Sequence, residues 1–222
     1  MEKDKFPVEP GHTNADKKYV MVIDLARCNN ARKCVEECQK AHHLPPDHEL
    51  MKVYLMQESE DADPYWMPKP CFHCDNPSCA KECAAGATIK RADGIVYIDQ
   101  ELCIGCKSCV SACPYSSRQV NNLQIQGNPE GEIDQNSYHV NPPINIISKC
   151  DFCADRVNGG KLPYCVTACP SGVIYFGNQL VDSVSNGLEN VSFKELINNR
   201  SGYHYREDQG TLPSVWYLPP TL

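Results

Sequence analysis

The sequence has no long apolar run, and none approaches the roughly 20 residues that a helix needs to cross a bilayer. The opening stretch MEKDKFPVEPGHTNADKK has neither the apolar region nor the twin-arginine pair of an export signal. We therefore expect a chain that does not span a membrane and has no export signal of its own. Any association with a membrane, or transport across it, is expected to depend on a partner.

Positive charge is in the minority, with 21 Lys and Arg against 28 Asp and Glu and a net charge of -7. A phosphate backbone requires a concentrated positive surface, so no nucleic-acid partner is expected. The sequence also lacks a phosphate-binding glycine loop, a dinucleotide fingerprint and a recognisable nucleophile–base pair. We therefore predict no catalytic residues in this chain.

Aromatic residues are few, at 8%, whereas 15 cysteines are far more than a chain of 222 residues ordinarily contains. They form four groups. These are Cys28, Cys34 and Cys38; Cys71, Cys74, Cys79 and Cys83; Cys103, Cys106, Cys109 and Cys113; and Cys150, Cys153, Cys165 and Cys169. The first group is one cysteine short, because Ala31 stands where a C-x2-C-x2-C-x3-C run has its second cysteine.

The stretch CIGCKSCVSACP, from Cys103 to Pro114, follows the bacterial ferredoxin run C-x2-C-x2-C-x3-C-P. In that run three thiolates bind one iron–sulfur cluster and the fourth binds the other cluster of a pair. A disulfide framework fits poorly, because the count is odd and the cysteines crowd within their own loops. Zinc sites join two separated pairs and need no third nearby cysteine. The pattern therefore predicts iron–sulfur clusters.

Because the fourth cysteine of each group binds the cluster of another group, the groups are expected to work in pairs. The second and third groups are joined by ATIK and GIVYID around the turn RADG, which predicts a hairpin between them. By elimination the first group pairs with the fourth, bordered by the strand-like runs YVMVIDL and GVIYFG. The proline-containing segments 44–70 and 120–149 are predicted to be loops with little regular structure.

We therefore expect an α+β fold of two bacterial-ferredoxin-like two-cluster units, loop-rich, with short β-hairpins and short helices, one unit inserted in the other. The expected boundaries are residues 18–66 and 143–180 for the outer unit, 67–142 for the inner unit, and 181–222 for a C-terminal extension that packs on a partner or on the core.

Five stretches together resemble one known family over residues 18–218. They are VMVIDLARC, KPCFHCDNPSCAKEC, DGIVYIDQELCIGCKSCVSACPY, KCDFCADRVNGGKLPYCVTACPSGVIYFG and GTLPSVWYLP. The chain resembles the four-cluster ferredoxin-type iron–sulfur (beta) subunits of the dimethyl sulfoxide reductase superfamily of molybdopterin oxidoreductases, such as those of dimethyl sulfoxide, polysulfide and thiosulfate reductases. The sequence departs from the family pattern at Ala31 and at Ala84, where a proline is common.

The resemblance implies an electron-transfer subunit that binds no organic substrate. Its clusters pass electrons between a molybdopterin catalytic subunit, with molybdenum or tungsten, and a membrane quinone-reactive subunit or a cytochrome. The alternative within this class is a hydrogenase or formate dehydrogenase complex, and the alternative from another class is a structural metal-binding scaffold. The complex is expected at a membrane through its partners, periplasmic if a partner with a signal exports it and otherwise cytoplasmic.

The resemblance also implies the ligands of each cluster. The first cluster uses Cys28, Cys34 and Cys169; the second Cys38, Cys150, Cys153 and Cys165; the third Cys71, Cys74, Cys79 and Cys113; and the fourth Cys83, Cys103, Cys106 and Cys109. The first cluster is expected to lie nearest the catalytic subunit.

Ala31 leaves the first cluster without one thiolate. We favour a [3Fe-4S] cluster there, beside three [4Fe-4S] clusters. One alternative is a [4Fe-4S] cluster whose fourth iron is held by water or by a nearby oxygen or nitrogen donor, for which the nearest candidates are Asn29, Asn30 and the His42/His43 pair. The other alternative is an empty site.

Seven other residues lie close to the cysteines in the sequence. His73 is expected to have a surface or supporting role and not to be a ligand, because its cluster already has its thiolates. Lys107, Arg118 and Lys149 either offset cluster charge or are ordinary surface cations, and the aromatic side chains of Tyr115, Phe152 and Phe176 are expected to shield the clusters from water.

Overall fold

The computed structural model describes residues 16–121 and 145–220. The strands are β1 (Tyr19–Asp24), β2 (Lys52–Met56), β3 (Tyr65–Lys69), β4 (Thr88–Lys90), β5 (Val96–Ile98), β6 (Gln119–Val120), β7 (Ile147–Ser148), β8 (Ile174–Asn178), β9 (Ser183–Ser185), β10 (Asn190–Val191) and β11 (Val215–Leu218). The helices are α1 (Lys33–Ala41), α2 (Ser78–Lys81), α3 (Ser108–Ser111), α4 (Ala154–Asn158), α5 (Tyr164–Thr167) and α6 (Phe193–Asn199), with short 3-10 turns at Leu25–Arg27, Gln179–Val181 and Glu207–Gln209.

A five-stranded sheet in the order β10, β9, β8, β1, β11 joins the two ends of the described chain. The interior strand β1 is buried at all six positions, as the run YVMVID suggests for a strand covered on both faces. β8 pairs with β1 in antiparallel register, with Ile23 opposite Ile174, and β11 pairs with it in parallel, with Met21 opposite Val215. The runs expected to form strands at 19–25 and 172–177 therefore lie side by side.

The remaining strands of the described residues form three two-stranded antiparallel sheets: β2 with β3, β4 with β5, and β6 with β7. The β4–β5 hairpin lies where ATIK and GIVYID predict it, with Lys90 opposite Val96. The prediction of a loop across 44–70 is wrong, because β2 and β3 pair over five residues. Pro68 lies within β3, which a hairpin strand with a free edge tolerates because its missing N–H can face away from the partner.

The second segment predicted as a loop, 120–149, contains β7 and the end of β6. Its prolines at 129, 142 and 143 lie outside the described residues, as do parts of the expected boundaries at 142–143 and 222.

The helices are short and most of them carry cysteines. α2, α3 and α5 have four residues each, far below the length at which an isolated helix is stable, so packing must hold them. With small helices, small strands and long connections, the described residues form a loop-rich α+β fold. None of its helices is both long and apolar enough to cross a bilayer.

Candidate metal centres

All fifteen cysteines lie within the described residues and all are free thiols. They are brought together across the sequence groups, so that neighbours in space come from distant parts of the chain. We describe them as four thiol sets, named in chain order.

The first thiol set consists of Cys28, Cys34 and Cys169. Burial raises the pKa of Cys34 to about 12, and the nearby Cys169 and Cys28 thiols contribute to the rise. All three line one cavity together with Ala31, whose methyl group occupies the place of the missing cysteine.

The second thiol set, Cys38, Cys150, Cys153 and Cys165, is the most deeply enclosed. Burial raises the pKa of Cys165 well above its ordinary value, and the thiols of Cys150 and Cys38 add to the rise. The pKa of Cys153 is raised in the same way by burial, by Asp151, and by the other three thiols of the set.

The third thiol set consists of Cys71, Cys74, Cys79 and Cys113. Burial raises the pKa of Cys74 to about 12, the other three thiols contribute to the rise, and a hydrogen bond with Thr211 opposes it. The proximity of Thr211 to this set could not be predicted from the sequence, because Thr211 is distant from all four cysteines along the chain.

The fourth thiol set, Cys83, Cys103, Cys106 and Cys109, lines a cavity at the protein surface. Burial raises the pKa of Cys109, Arg118 opposes the rise, and Cys83 and Cys103 add to it. Cys106 is exposed, so this set has a solvent-facing edge that the second set lacks.

The backbone around the thiols is shaped for anionic sulfur. The amide N–H of Phe152 donates to Cys150 Sγ at 3.4 Å and that of Val173 donates to Cys169 Sγ at 3.4 Å. Gly105, in the fourth set's loop, has φ +68°, and a Cβ there would lie 2.5 Å from the carbonyl oxygen of Asn145. A left-handed residue turns successive N–H groups towards a concave anion site, and only glycine fits this close approach.

The donor chemistry fits iron–sulfur clusters. Thiols that share a buried site raise one another's pKa, so they become thiolates there only with a cation at the centre. Sets of three or four converging thiolates with N–H donors to sulfur are what iron–sulfur clusters require.

The four sets form a continuous series. The first and second are joined by α1, which carries Cys34 and Cys38, and Cys165 is close enough to Cys34 for the two thiols to interact. The second and third sets meet at Cys150 and Cys71. Burial is the main cause of the raised pKa of Cys150, and the nearby thiol of Cys71 adds to the rise. The third and fourth share the side chain of Arg118.

The candidate non-cysteine donors for the first site lie in different places. Asn29 Oδ1 accepts the Ala31 N–H at 3.3 Å, and His42 Nε2 lies 3.5 Å from Cys153 Sγ in the second set. His43 is exposed. Asn30 lines the cavity of the first set, and its buried Oδ1 has no hydrogen-bond partner among the described residues.

His73 is fully buried, and the surface role considered for it is wrong. Its ring stacks on Phe152 with 3.7 Å between centroids, and its Nδ1 accepts the Val96 N–H at 3.0 Å. Burial lowers the pKa of His73 well below its ordinary value. The side chain therefore packs as a neutral ring.

The three cations near the cysteines differ in exposure. Lys107 is exposed, whereas Arg118 and Lys149 are 4% and 3% exposed, so the ordinary surface interpretation is wrong for these two. Lys149 Nζ donates to the carbonyl oxygens of Val96 and Cys150. The aromatic side chains of Tyr115, Phe152 and Phe176 are buried among the cysteines, as expected.

Comparison with known proteins agrees with this chemistry. The family described as a 4Fe-4S dicluster domain matches residues 62–129 and 132–179. The B subunit of the selenate reductase of Mesobacillus selenatarsenatis is 33% identical, over 90% of this chain and 72% of the relative. The B subunit of the tetrathionate reductase of Salmonella typhimurium is 29% identical, over 96% and 78%. The corresponding B polypeptide of the anaerobic dimethyl sulfoxide reductase of Escherichia coli is 33% identical, over 72% and 73%.

The cysteine motifs, the converging thiols and these relatives lead to one conclusion. The chain belongs to the 4Fe-4S dicluster family and, within it, to the iron–sulfur electron-transfer B subunits of the dimethyl sulfoxide reductase superfamily of molybdopterin oxidoreductases.

Proposed function

We propose that this chain conducts electrons along four clusters between a molybdopterin catalytic subunit, with molybdenum or tungsten, and a quinone-reactive membrane subunit or a cytochrome. The observation that carries the proposal is the continuous series of thiol sets, in which each set shares a helix, a direct thiol interaction or a buried cation with the next. A bound cluster supplies one-electron oxidation and reduction.

We assign the cluster ligands as follows. The first site uses Cys28, Cys34 and Cys169; the second Cys38, Cys150, Cys153 and Cys165; the third Cys71, Cys74, Cys79 and Cys113; and the fourth Cys83, Cys103, Cys106 and Cys109. The mutual effects of the thiols on their pKa values support these sets. Three sites hold [4Fe-4S] clusters, and the first holds a [3Fe-4S] cluster or a [4Fe-4S] cluster with a non-cysteine donor.

The protein positions the sites and controls their access to water. Helix α1 places Cys34 and Cys38 on the two sides of the boundary between the first and second sets, which keeps those two sites close. Buried aromatic rings such as Phe152 and Phe176, with 5.2 Å between their centroids, exclude water beside the second site, where the Phe152 N–H donates to Cys150 Sγ. A dry site and N–H donors to sulfur are two of the ways in which a protein sets cluster potential.

We also propose the nested organisation, with residues 18–66 and 143–180 as the outer unit, 67–142 as the inner unit and 181–222 as an extension. The pairing of β1 with β8 supports an outer unit built from both ends of the chain. The first and second thiol sets each combine cysteines from before residue 66 with cysteines from after residue 143, which supports the same division.

The two ends of the series fit two partners. By the family resemblance the first site faces the catalytic subunit. The fourth site has an exposed edge, with Ile104 71% and Leu102 49% exposed beside Cys106, which suits transfer to a second partner. We propose that the complex associates with a membrane through its partners, on the periplasmic side if a signal-bearing partner exports it and otherwise in the cytoplasm.

The proposal is tested on the chain purified anaerobically. We expect a brown protein with about fifteen iron atoms per chain, one more if a non-cysteine donor completes the first site, and visible absorption that bleaches on reduction. A colourless protein that contains zinc would instead make the chain a structural scaffold.

A further inference from the structure

We propose that Arg118 bridges the third and fourth clusters and raises the reduction potentials of both, so that the pair stays matched for electron transfer. This inference rests on the proposed function, since it assigns a role to a side chain between two of the proposed clusters.

The guanidinium of Arg118 contacts both thiol sets. Its Nη2 donates to Cys79 Sγ of the third set at 3.0 Å. The same side chain lines the cavity of the fourth set together with Cys109 and the other three thiols of that set.

A second connection to the fourth set passes through Thr88. Nη1 of Arg118 donates to Thr88 Oγ1 at 3.0 Å. Thr88 lines the cavity of the fourth set together with Cys83. Arg118 therefore fixes a hydroxyl group in the wall of the fourth set's cavity.

The hydrogen-bond partners of Arg118 are a sulfur and a hydroxyl. Within the part of the chain that the structure describes, its side-chain hydrogen bonds go to Cys79 Sγ and Thr88 Oγ1, and none goes to a carboxylate. A buried cation without an anionic partner is costly, so the sulfurs of the two clusters are the anions that balance it. Lys149, another buried cation nearby, donates to carbonyl oxygens instead.

The position has a direct electrostatic consequence. Each cluster becomes more negative by one charge when it gains an electron, so a fixed positive charge beside it favours the reduced form and raises its potential. Because the side chain donates to a sulfur of the third set and lines the cavity of the fourth, the effect applies to both. Arginine suits this role, since its planar fork presents several donors in fixed directions and stays charged at any physiological pH.

The test is a redox titration of the holoprotein followed by electron paramagnetic resonance, which resolves the potential of each cluster. We expect R118Q to lower two of the four potentials and to leave the other two unchanged, with four clusters retained by iron analysis. K107Q, which removes an exposed positive charge beside the fourth set, is the matched control, and we expect it to cause a much smaller shift because solvent screens that charge.

R118K separates charge from bridging. Lysine keeps the charge but offers a single point of contact, so we expect one potential to stay near the wild-type value and the other to fall. If R118Q fails to assemble its clusters, the potentials of R118K alone test the bridging role. Wild-type values for both potentials in R118K would overturn that role. Unchanged potentials in R118Q, or an equal shift in all four clusters, would also overturn it. A wild-type protein without reducible clusters would refute the proposed function itself.

Discussion

Cys34 and Cys38 lie one turn apart on α1, yet their thiols belong to different sets. Cys34 interacts with Cys28 and Cys169, whereas Cys38 interacts with Cys150 across a deeply buried site. A single helical turn, about 5.4 Å, therefore spans the boundary between two of the proposed clusters. Cys165, on α5, and Cys169, which follows that helix, are also four residues apart, and they likewise belong to different sets, the second and the first.

The first prediction concerns the missing ligand. We expect A31C to add a fourth thiolate to the first site, because residue 31 lines the same cavity as Cys28, Cys34 and Cys169. Iron should rise by about one atom per chain, and the oxidised-state paramagnetic signal of a [3Fe-4S] cluster, about one spin in the wild type, should disappear. A31S is the matched control, since its side chain is of nearly the same size but is not a thiolate.

A wild-type protein with no such signal and with about sixteen iron atoms would contradict a three-iron site. Asn30 would then be the first side chain to test as the fourth donor, because its buried oxygen has no hydrogen-bond partner among the described residues. In that case N30A should lose about one iron atom, whereas N29A should not, because Asn29 Oδ1 already accepts the Ala31 N–H.

The second prediction concerns a buried carboxylate at the end of β1. Asp24 is fully buried, accepts two hydrogen bonds from Arg200, each at 3.2 Å, and forms an ion pair with Arg27. R200M removes one of these two cationic partners, and we expect it to cost about 2 kcal/mol of stability. K161Q, at an exposed site, is the control.

The measurement is the midpoint temperature at which the visible cluster absorption is lost, recorded at one scan rate for each variant. Midpoints for R200M and K161Q that coincide with that of the wild type would show that Arg27 is a sufficient counter-ion for Asp24.

The third prediction concerns the contact between β8 and β9. A Cβ on Gly177 would lie 2.1 Å from the carbonyl oxygen of Ser183 and 2.7 Å from the Cα of Val184. We expect G177A to separate the two strands and to destabilise the protein by roughly 1–3 kcal/mol. G159A adds the same methyl group where the nearest atom is 3.4 Å away, and it should be tolerated. Equal thermal midpoints for the two variants would argue against the close packing.

The fourth prediction concerns pH. Burial lowers the pKa of His48 below its ordinary 6.5, while Asp47 opposes this and Lys52 adds to it, and Nε2 lies 2.6 Å from Ser148 Oγ. The unfolded chain therefore binds this proton more readily than the folded chain. The contribution of His48 is fully present above about pH 6.5 and is lost as the pH falls below that value.

We expect the thermal midpoint of the wild type to fall more steeply between about pH 7.5 and 5.5 than that of H48Q, since the variant has no titrating group there. Both proteins share the acid sensitivity of the clusters, so the difference in slope isolates His48. Parallel slopes would exclude the histidine as the cause.

The sequence was most informative where the chemistry is local. The spacing of the cysteines predicted iron–sulfur clusters, and β1, β8 and the β4–β5 hairpin lie where their residue patterns place them. The thiols that the family resemblance groups together are neighbours in the structure, and their role as ligands stays a prediction.

Tertiary features were not predictable in this way. β11 has four residues next to prolines, and nothing in its own pattern indicates a parallel partner at the other end of the chain. The burial of Arg118, Lys149 and His73 was missed for a related reason, because adjacency to cysteine does not reveal which side of a loop meets solvent.

The distribution of the thiol sets along the chain has a consequence for biosynthesis. The third and fourth sets are complete once residue 113 has been made, whereas the first set waits for Cys169 and β1 waits for β11 near residue 218. During translation the third and fourth sites can therefore receive iron early. The first two sites can form only after Cys169 has left the ribosome, and the pairing of β1 with β11 only after residue 218 has done so.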